Sequence, residues 1–143
     1  MIGSQTSEAR FGLLVQNISD IITVLASDGT IKYESPSTLR ILGFTPRELI
    51  GHNAFEFIHP DDIPAVQEAF GRAIANPGLT VSPEFRFRHA NGSWIYLEAI
   101  GNNLLSDPEV NGLVVTSRDV TARRTLEQQL RQAQKMEAIG QLA

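Results

Sequence analysis

Three potential metal donors crowd the segment "HPDD" at residues 59–62. Histidine and carboxylate side chains bind divalent metals, and a histidine beside an acid can also relay a proton. The spacing argues against both uses for His59, Asp61 and Asp62, because the three side chains do not share one face of a helix. Each aspartate also has a simpler role: Asp61 can cap the helix that follows, and Asp62 suits the positive end of its dipole. No metal is assigned. His52 and His89 have no serine or carboxylate at positions that sequence can join into a triad, so no catalytic residue is assigned and the chain reads as a non-enzyme. It has no cysteine, which removes disulfides, thiolate metal sites and cysteine nucleophiles.

A second set of residues suits binding rather than reaction. Phe55, Phe57, Phe70, Phe85, Trp94 and Tyr96 are large side chains expected to face the space between a sheet and its helices, where they could line a cavity for a small apolar ligand. The competing use of the same residues is core filling.

The elements that would position them can be read along the chain. "DIITVLASDGTIKYES" is two β-rich runs, at about 21–26 and 31–34, around Asp28-Gly29, a pair suited to a tight hairpin. "TPRELIG" carries Thr45 as N-cap, Pro46 at the first helical position, Glu48 to close a capping box and Gly51 as a stop. The longest internal helix begins near Asp61 and ends at "NPG", with Ile63, Val66, Phe70, Ala73 and Ile74 on one stripe. Three strand-like segments follow. In "LTVSPEFRFRH", Val81, Phe85 and Phe87 alternate with Glu84, Arg86 and Arg88; Asn91-Gly92 then turns the chain into "SWIYLEAIGNNLL", and "NGLVVTSRDV" completes the set. An earlier helix is expected at residues 7–18, capped by Ser7, with Phe11, Leu14, Val15 and Ile18 on one face. The order implies an α+β domain: a five-stranded antiparallel sheet with helices on one side.

Composition bounds the function. At 143 residues the chain is one domain's worth. A net charge of −4 without a basic cluster disfavours nucleic acid. No apolar run reaches the length of a membrane span and no signal-peptide core precedes the domain, so a soluble, cytoplasmic piece is expected.

With these residues in order, "DIITVLASDGTIKYESPSTLRILGFTPRELIGHNAFEFIHPDD", "FRHANGSWIYLEAIGNNLLSD" and "GLVVTSRDVTARR" resemble a Per-Arnt-Sim (PAS) sensor domain over about residues 7–121. The closing "QKMEAIGQLA" resembles the first turns of the dimerisation and phosphotransfer helix of a sensor histidine kinase. The resemblance implies a tail at 1–6, the flanking helix at 7–18, a PAS core at 19–121 and a signalling helix at 122–143 leading into the kinase, whose phospho-accepting histidine would follow. It also implies that Asp119, Val120 and Thr121 transmit the signal from core to helix, and either Asp119 or Thr121 could cap that helix. Flavin photosensors of the light-oxygen-voltage subgroup carry a reactive cysteine where this chain has Ala54 in "GHNA", which excludes a covalent flavin adduct. Haem-binding relatives use a histidine on the longer helix, and none lies between Asp61 and Asn76, which argues against haem.

The last segment, "RDVTARRTLEQQLRQAQKMEAIGQLA", would extend about 33 Å as a helix from Thr121, too long to lie wholly on so small a domain. Leu126, Leu130, Ala133 and Met136 form its apolar seam, with a three-residue phase slip near Gln134. A coiled-coil homodimer is the expected partner of that seam. An amphipathic helix folded back on the sheet is the alternative.

Overall fold

The computed structural model describes residues 20–140. The expected tail at 1–6 and helix at 7–18 lie outside the described residues. In chain order the elements are β1 (Ile21–Leu25), β2 (Ile31–Glu34), α1 (Ser37–Leu42), α2 (Pro46–Leu49), a 3-10 turn (Ala54–Phe57), α3 (Ile63–Ala75), β3 (Glu84–Arg88), β4 (Trp94–Leu104), β5 (Gly112–Asp119) and α4 (Thr121–Ala138). The strands form one antiparallel sheet in the order β2-β1-β5-β4-β3. The expected fold class is therefore correct.

Local chemistry explains the elements. Gly29 turns the β1–β2 hairpin with φ of 92°, while the Asp28 carboxylate accepts the Thr30 N–H at 3.0 Å. At α2 the capping box forms as read: Thr45 Oγ1 accepts the Glu48 N–H at 3.3 Å, and Glu48 Oε1 accepts the Thr45 N–H at 2.8 Å. Gly112 opens β5 where nothing larger fits, since a Cβ there would lie 2.6 Å from Val24 Cγ1 and 2.9 Å from the Leu25 carbonyl oxygen.

The expected cap of α3 is corrected. That helix starts at Ile63, and neither Asp61 nor Asp62 caps it with its side chain. Instead both carboxylate oxygens of Asp62 are taken by Arg86: Oδ2 accepts from Nε at 2.9 Å and from the backbone N–H at 2.8 Å, and Oδ1 accepts from Nη2 at 2.9 Å. Three bonds from one residue, two of them a fork from a guanidinium, outweigh the single bond a cap would make. The far end of α3 is held from the sheet as well, because Asn103 Nδ2 donates to the Ala73 and Ile74 carbonyls at 3.0 and 3.1 Å.

One face of the sheet meets α1 to α3 in a core that includes Ile21, Ile31, Leu42, Leu49, Phe85 and Leu97. Burying a side chain of this size stabilises by about 1.5–3 kcal/mol. The α3 stripe joins it, with Val66 and Ala73 buried and Ile63, Phe70 and Ile74 packed alongside. By contrast α4 has no buried residue.

Candidate functional site

Between the sheet and α3 lies a cavity of about 100 Å³. Small residues make the room: Ala54, Ala69 and Ala73 on the helical side, Ala99 and Gly101 on β4. Of the six aromatics expected to line such a space, Phe55, Phe70 and Phe85 do so. Phe57, Trp94 and Tyr96 do not, and the reasons are geometric. Phe57 is buried among other rings, stacked on Phe87 at 5.5 Å and edge-on to Phe44 at 5.6 Å. The β3–β4 register pairs Trp94 with Arg88 and Tyr96 with Arg86, so both aromatics share the face turned away from the helices. There Trp94 packs on His59 at 4.7 Å between ring centres, and Arg124 lies 4.4 Å from the centre of the Tyr96 ring.

The cavity is apolar except at one corner. Glu34, 5% exposed, is the ionisable residue among those lining it. Thr23 Oγ1 donates to Glu34 Oε1 at 2.6 Å, whereas Oε2 is buried without a hydrogen-bond partner. The Thr38 hydroxyl lies buried beside it without reaching hydrogen-bond geometry. Burial pushes the carboxyl up to about 7, against the opposing influence of Thr23 and Thr38. Sequence reading missed Glu34 for a definable reason. The β1–β2 register shifts between Val24 and Leu25, so Ile31 and Glu34 both face inward although strict alternation would put them on opposite faces.

The histidine and acids of residues 59–62 diverge. Asp62 turns to Arg86, Asp61 is exposed, and His59 Nδ1 accepts the Asp61 N–H at 3.1 Å. Among the described residues no cluster could hold a metal ion.

At the other end of the domain, Asp119, Val120 and Thr121 join β5 to α4. Asp119 Oδ1 accepts the Thr121 N–H at 2.9 Å, so Asp119 satisfies the first amide of the helix. Thr121 does not cap; its Oγ1 accepts the Tyr96 N–H at 3.0 Å, and the buried Val120 donates its N–H to the Tyr96 carbonyl at 2.8 Å. The first turn of α4 is thus stitched to β4. A second clamp comes from β3: Glu84 accepts from Arg123 Nη2 at 2.7 Å and from Arg124 Nη1 at 2.9 Å. Burial raises the Glu84 carboxyl, but the hydrogen bonds from Arg124 and Arg123 outweigh it and hold the group below its ordinary value. Sequence gave Glu84 no role beyond its place on the outer face, because its partners lie about 40 residues away. Beyond this base the seam residues Leu126, Leu130 and Met136 are 64%, 60% and 39% exposed, and Ala133 is exposed too. The fold-back alternative for α4 is therefore corrected: the helix leaves the sheet after its first turn.

A family-level comparison matches residues 31–115, more than half of the chain, to the family described as PAS fold. The chain belongs to the PAS family. This PAS domain is 35% identical over 81 residues to the aryl hydrocarbon receptor nuclear translocator homolog of Drosophila melanogaster, covering 57% of this chain and 13% of that protein. It is 33% identical over 132 residues to an uncharacterized protein, y4lL, of Sinorhizobium fredii, covering 90% of this chain and 16% of that protein. The chain therefore spans less than a fifth of the length of these relatives. Among solved structures, a sensory box histidine kinase/response regulator from Burkholderia thailandensis superposes with a TM-score of 0.69 at 27% identity, over 90% of this chain and 98% of that one. No helix among the described residues is long and apolar enough to cross a membrane.

Proposed function

We propose that this PAS domain is the sensory and dimerisation module of a two-component histidine kinase, regulatory rather than catalytic, which passes its signal through α4 to control autophosphorylation. The observation that carries the reading is the combination of a clamped base and a bare shaft. Glu84, Tyr96 and Thr121 hold the first turn of α4 to the sheet, while the apolar seam beyond it is exposed. An exposed seam of this kind is relieved by a second copy of the same helix. The likeness to the Burkholderia histidine kinase supports this parentage, and the nuclear translocator relative marks it as one of several settings in which PAS domains occur.

Light scattering of the purified chain tests the reading. A dimer at micromolar concentration that becomes monomeric on joint Leu126→Asp and Leu130→Asp substitution is expected, and a wild-type monomer across that range would reject it.

A second reading, a small-molecule receptor, is favoured by the cavity and is compatible with the first, since ligand occupancy would be the input. Covalent flavin and haem are not part of this reading, because Ala54 borders the cavity where a cysteine would be needed and α3 carries no histidine. A Soret absorbance in the purified protein, or a flavin that stays attached to the denatured chain, would overturn that exclusion.

A further inference from the structure

We infer that this domain senses protons through a latch of Glu34, Thr23 and Thr38, which ties α1 to β1 and β2 while the Glu34 carboxyl is neutral and releases α1 when it ionises. The inference rests on the sensory reading and names an input for it.

The latch is buried and polar, and Glu34 is its one ionisable member. Thr23 reaches the carboxyl from β1 and Thr38, wholly buried, from α1. No cation faces it. β1 carries no charged residue; Lys32 on β2, Arg40 on α1 and Glu68 and Arg72 on α3 are exposed, and the other residues lining the cavity are uncharged. Tyr33, beside it on β2, is the titratable group that feels its charge: burial first, and that charge second, push the phenol up.

Hydrogen-bond arithmetic makes the proton part of the latch. An ionised carboxylate accepts about four hydrogen bonds, and the two hydroxyls supply at most two. The neutral acid asks for less. Thr23 Oγ1 already donates to Oε1, and a proton on Oε2 has the Thr38 hydroxyl to accept it, since Oε2 and Thr38 Oγ1 are both buried and otherwise without a partner. Without that proton the site holds a buried charge that lacks donors and a counter-ion, a state relieved by letting water in.

The part that gives is α1. Strand β1 is paired on both sides, by β2 and β5, whereas α1 has six residues and no side-chain cap at its start. Its movement has a route to α4. Ser37 Oγ donates to the Asp20 carbonyl at 2.8 Å, and Arg118 Nη2 lies 3.6 Å from the Asp20 carboxylate. Arg118 precedes Asp119, whose carboxylate holds the Thr121 N–H.

The test is an NMR titration of the whole chain from about pH 5 to about pH 9, with amide hydrogen exchange, on wild type and on Glu34→Gln. The Glu34 carboxyl carbon should titrate at about 7. Opening the latch releases the proton, so exchange of the α1 amides in wild type, relative to Glu34→Gln at the same pH, should rise about tenfold per pH unit up to about 7 and level off above it. The Thr121 amide should shift with the Glu34 midpoint in wild type and lose that component in Glu34→Gln, where the histidines still titrate. Thr38→Val should raise the Glu34 midpoint by about one pH unit, because the carboxylate loses a donor, and Thr38→Ser should restore it. A Glu34 carboxyl that titrates in the ordinary carboxylate range overturns the inference, as does a Thr121 amide that ignores it. So do α1 amides that exchange no faster than the β4–β5 amides at pH 8, since the proton would then act on the whole fold and not on a latch. Should Thr38→Val fail to fold, the comparison of wild type with Glu34→Gln decides. None of these readings depends on the α4 seam, so they stand apart from the dimer test.

Discussion

Glu34 ties folding stability to pH. Its carboxyl is raised from 4.5 to about 7 in the folded chain. The folded state therefore holds a proton across that interval which the unfolded state has released. Stability from this group is complete below the unfolded value and is lost as pH rises through about 7. For a displacement of this size the loss is on the order of 3 kcal/mol. Glu34→Gln removes the titration, so urea unfolding should show the variant gaining on the wild type between about pH 5 and about pH 8. A stability difference that does not change with pH would show that Glu34 titrates normally. Asp62 has the opposite sign: hydrogen bonding from Arg86 holds its carboxyl below the ordinary value, so its contribution is lost on acidification. Asp62→Ala should cost more than Arg86→Ala in thermal unfolding, because Asp62 also accepts the backbone amide of the β3 edge. The excess should be about 1 kcal/mol, the worth of one such bond. At this scale legibility followed the range of the interaction. The Thr45 capping box was readable because its partners are three residues apart, and the inward turn of Glu34 was not, because it follows from a register shift against β1. Trp94 and Tyr96 could have been placed correctly, since Ile95, Leu97 and Ala99 alternate with them along β4.

Among the elements, α4 is the one whose apolar residues, regularly spaced in the sequence, stand exposed in the structure. Its helix continues without a break through Gln134, where the seam changes phase, to Ala138. No α4 residue is buried, so the Leu126→Asp, Leu130→Asp pair should leave the monomer's thermal midpoint nearly unchanged while removing the dimer. Under the proposed histidine-kinase function, phase gives a sharper expectation. One residue inserted between Arg131 and Lys135 turns everything downstream by about 100°, whereas seven restore the face to within about 20° while adding about 10 Å. Signal-dependent autophosphorylation should survive the heptad insertion, and insertions of one, two or four residues should lock output on or off. A smooth decline with length would instead describe a flexible tether. The seam was legible because its spacing is local. The base was not: Glu84, Tyr96 and Thr121 come from separate elements, and only the folded sheet brings them together.

For the molecule as a whole, element order and sheet composition were readable from turn signals and alternation, but strand order was not. Alternation tells which face a residue takes and is silent on which strand lies beside it, so the placing of β5 between β1 and β4 emerges only from the pairing. That placing puts the exit of α4 beside β4, and next to β3, whose Phe85 borders the cavity and whose Glu84 grips Arg123 and Arg124. The arrangement is a cantilever. The helix is about 27 Å long, and its grip occupies one turn of about 5 Å. A shift of about 1 Å at Glu84 therefore tilts the axis by about 10° and sweeps the free end through about 5 Å. In the monomeric double-aspartate variant, spin labels at Asn102 and Gln134 should give a broader distance distribution than labels at Asn102 and Gln128. Glu84→Gln should widen the outer distribution further, and equal widths would mean that the shaft bends instead of pivoting. A pivot of this kind multiplies displacement without any part of the core having to move far, so a shift of about 1 Å in the packing of β3 is large enough to be felt at the tip.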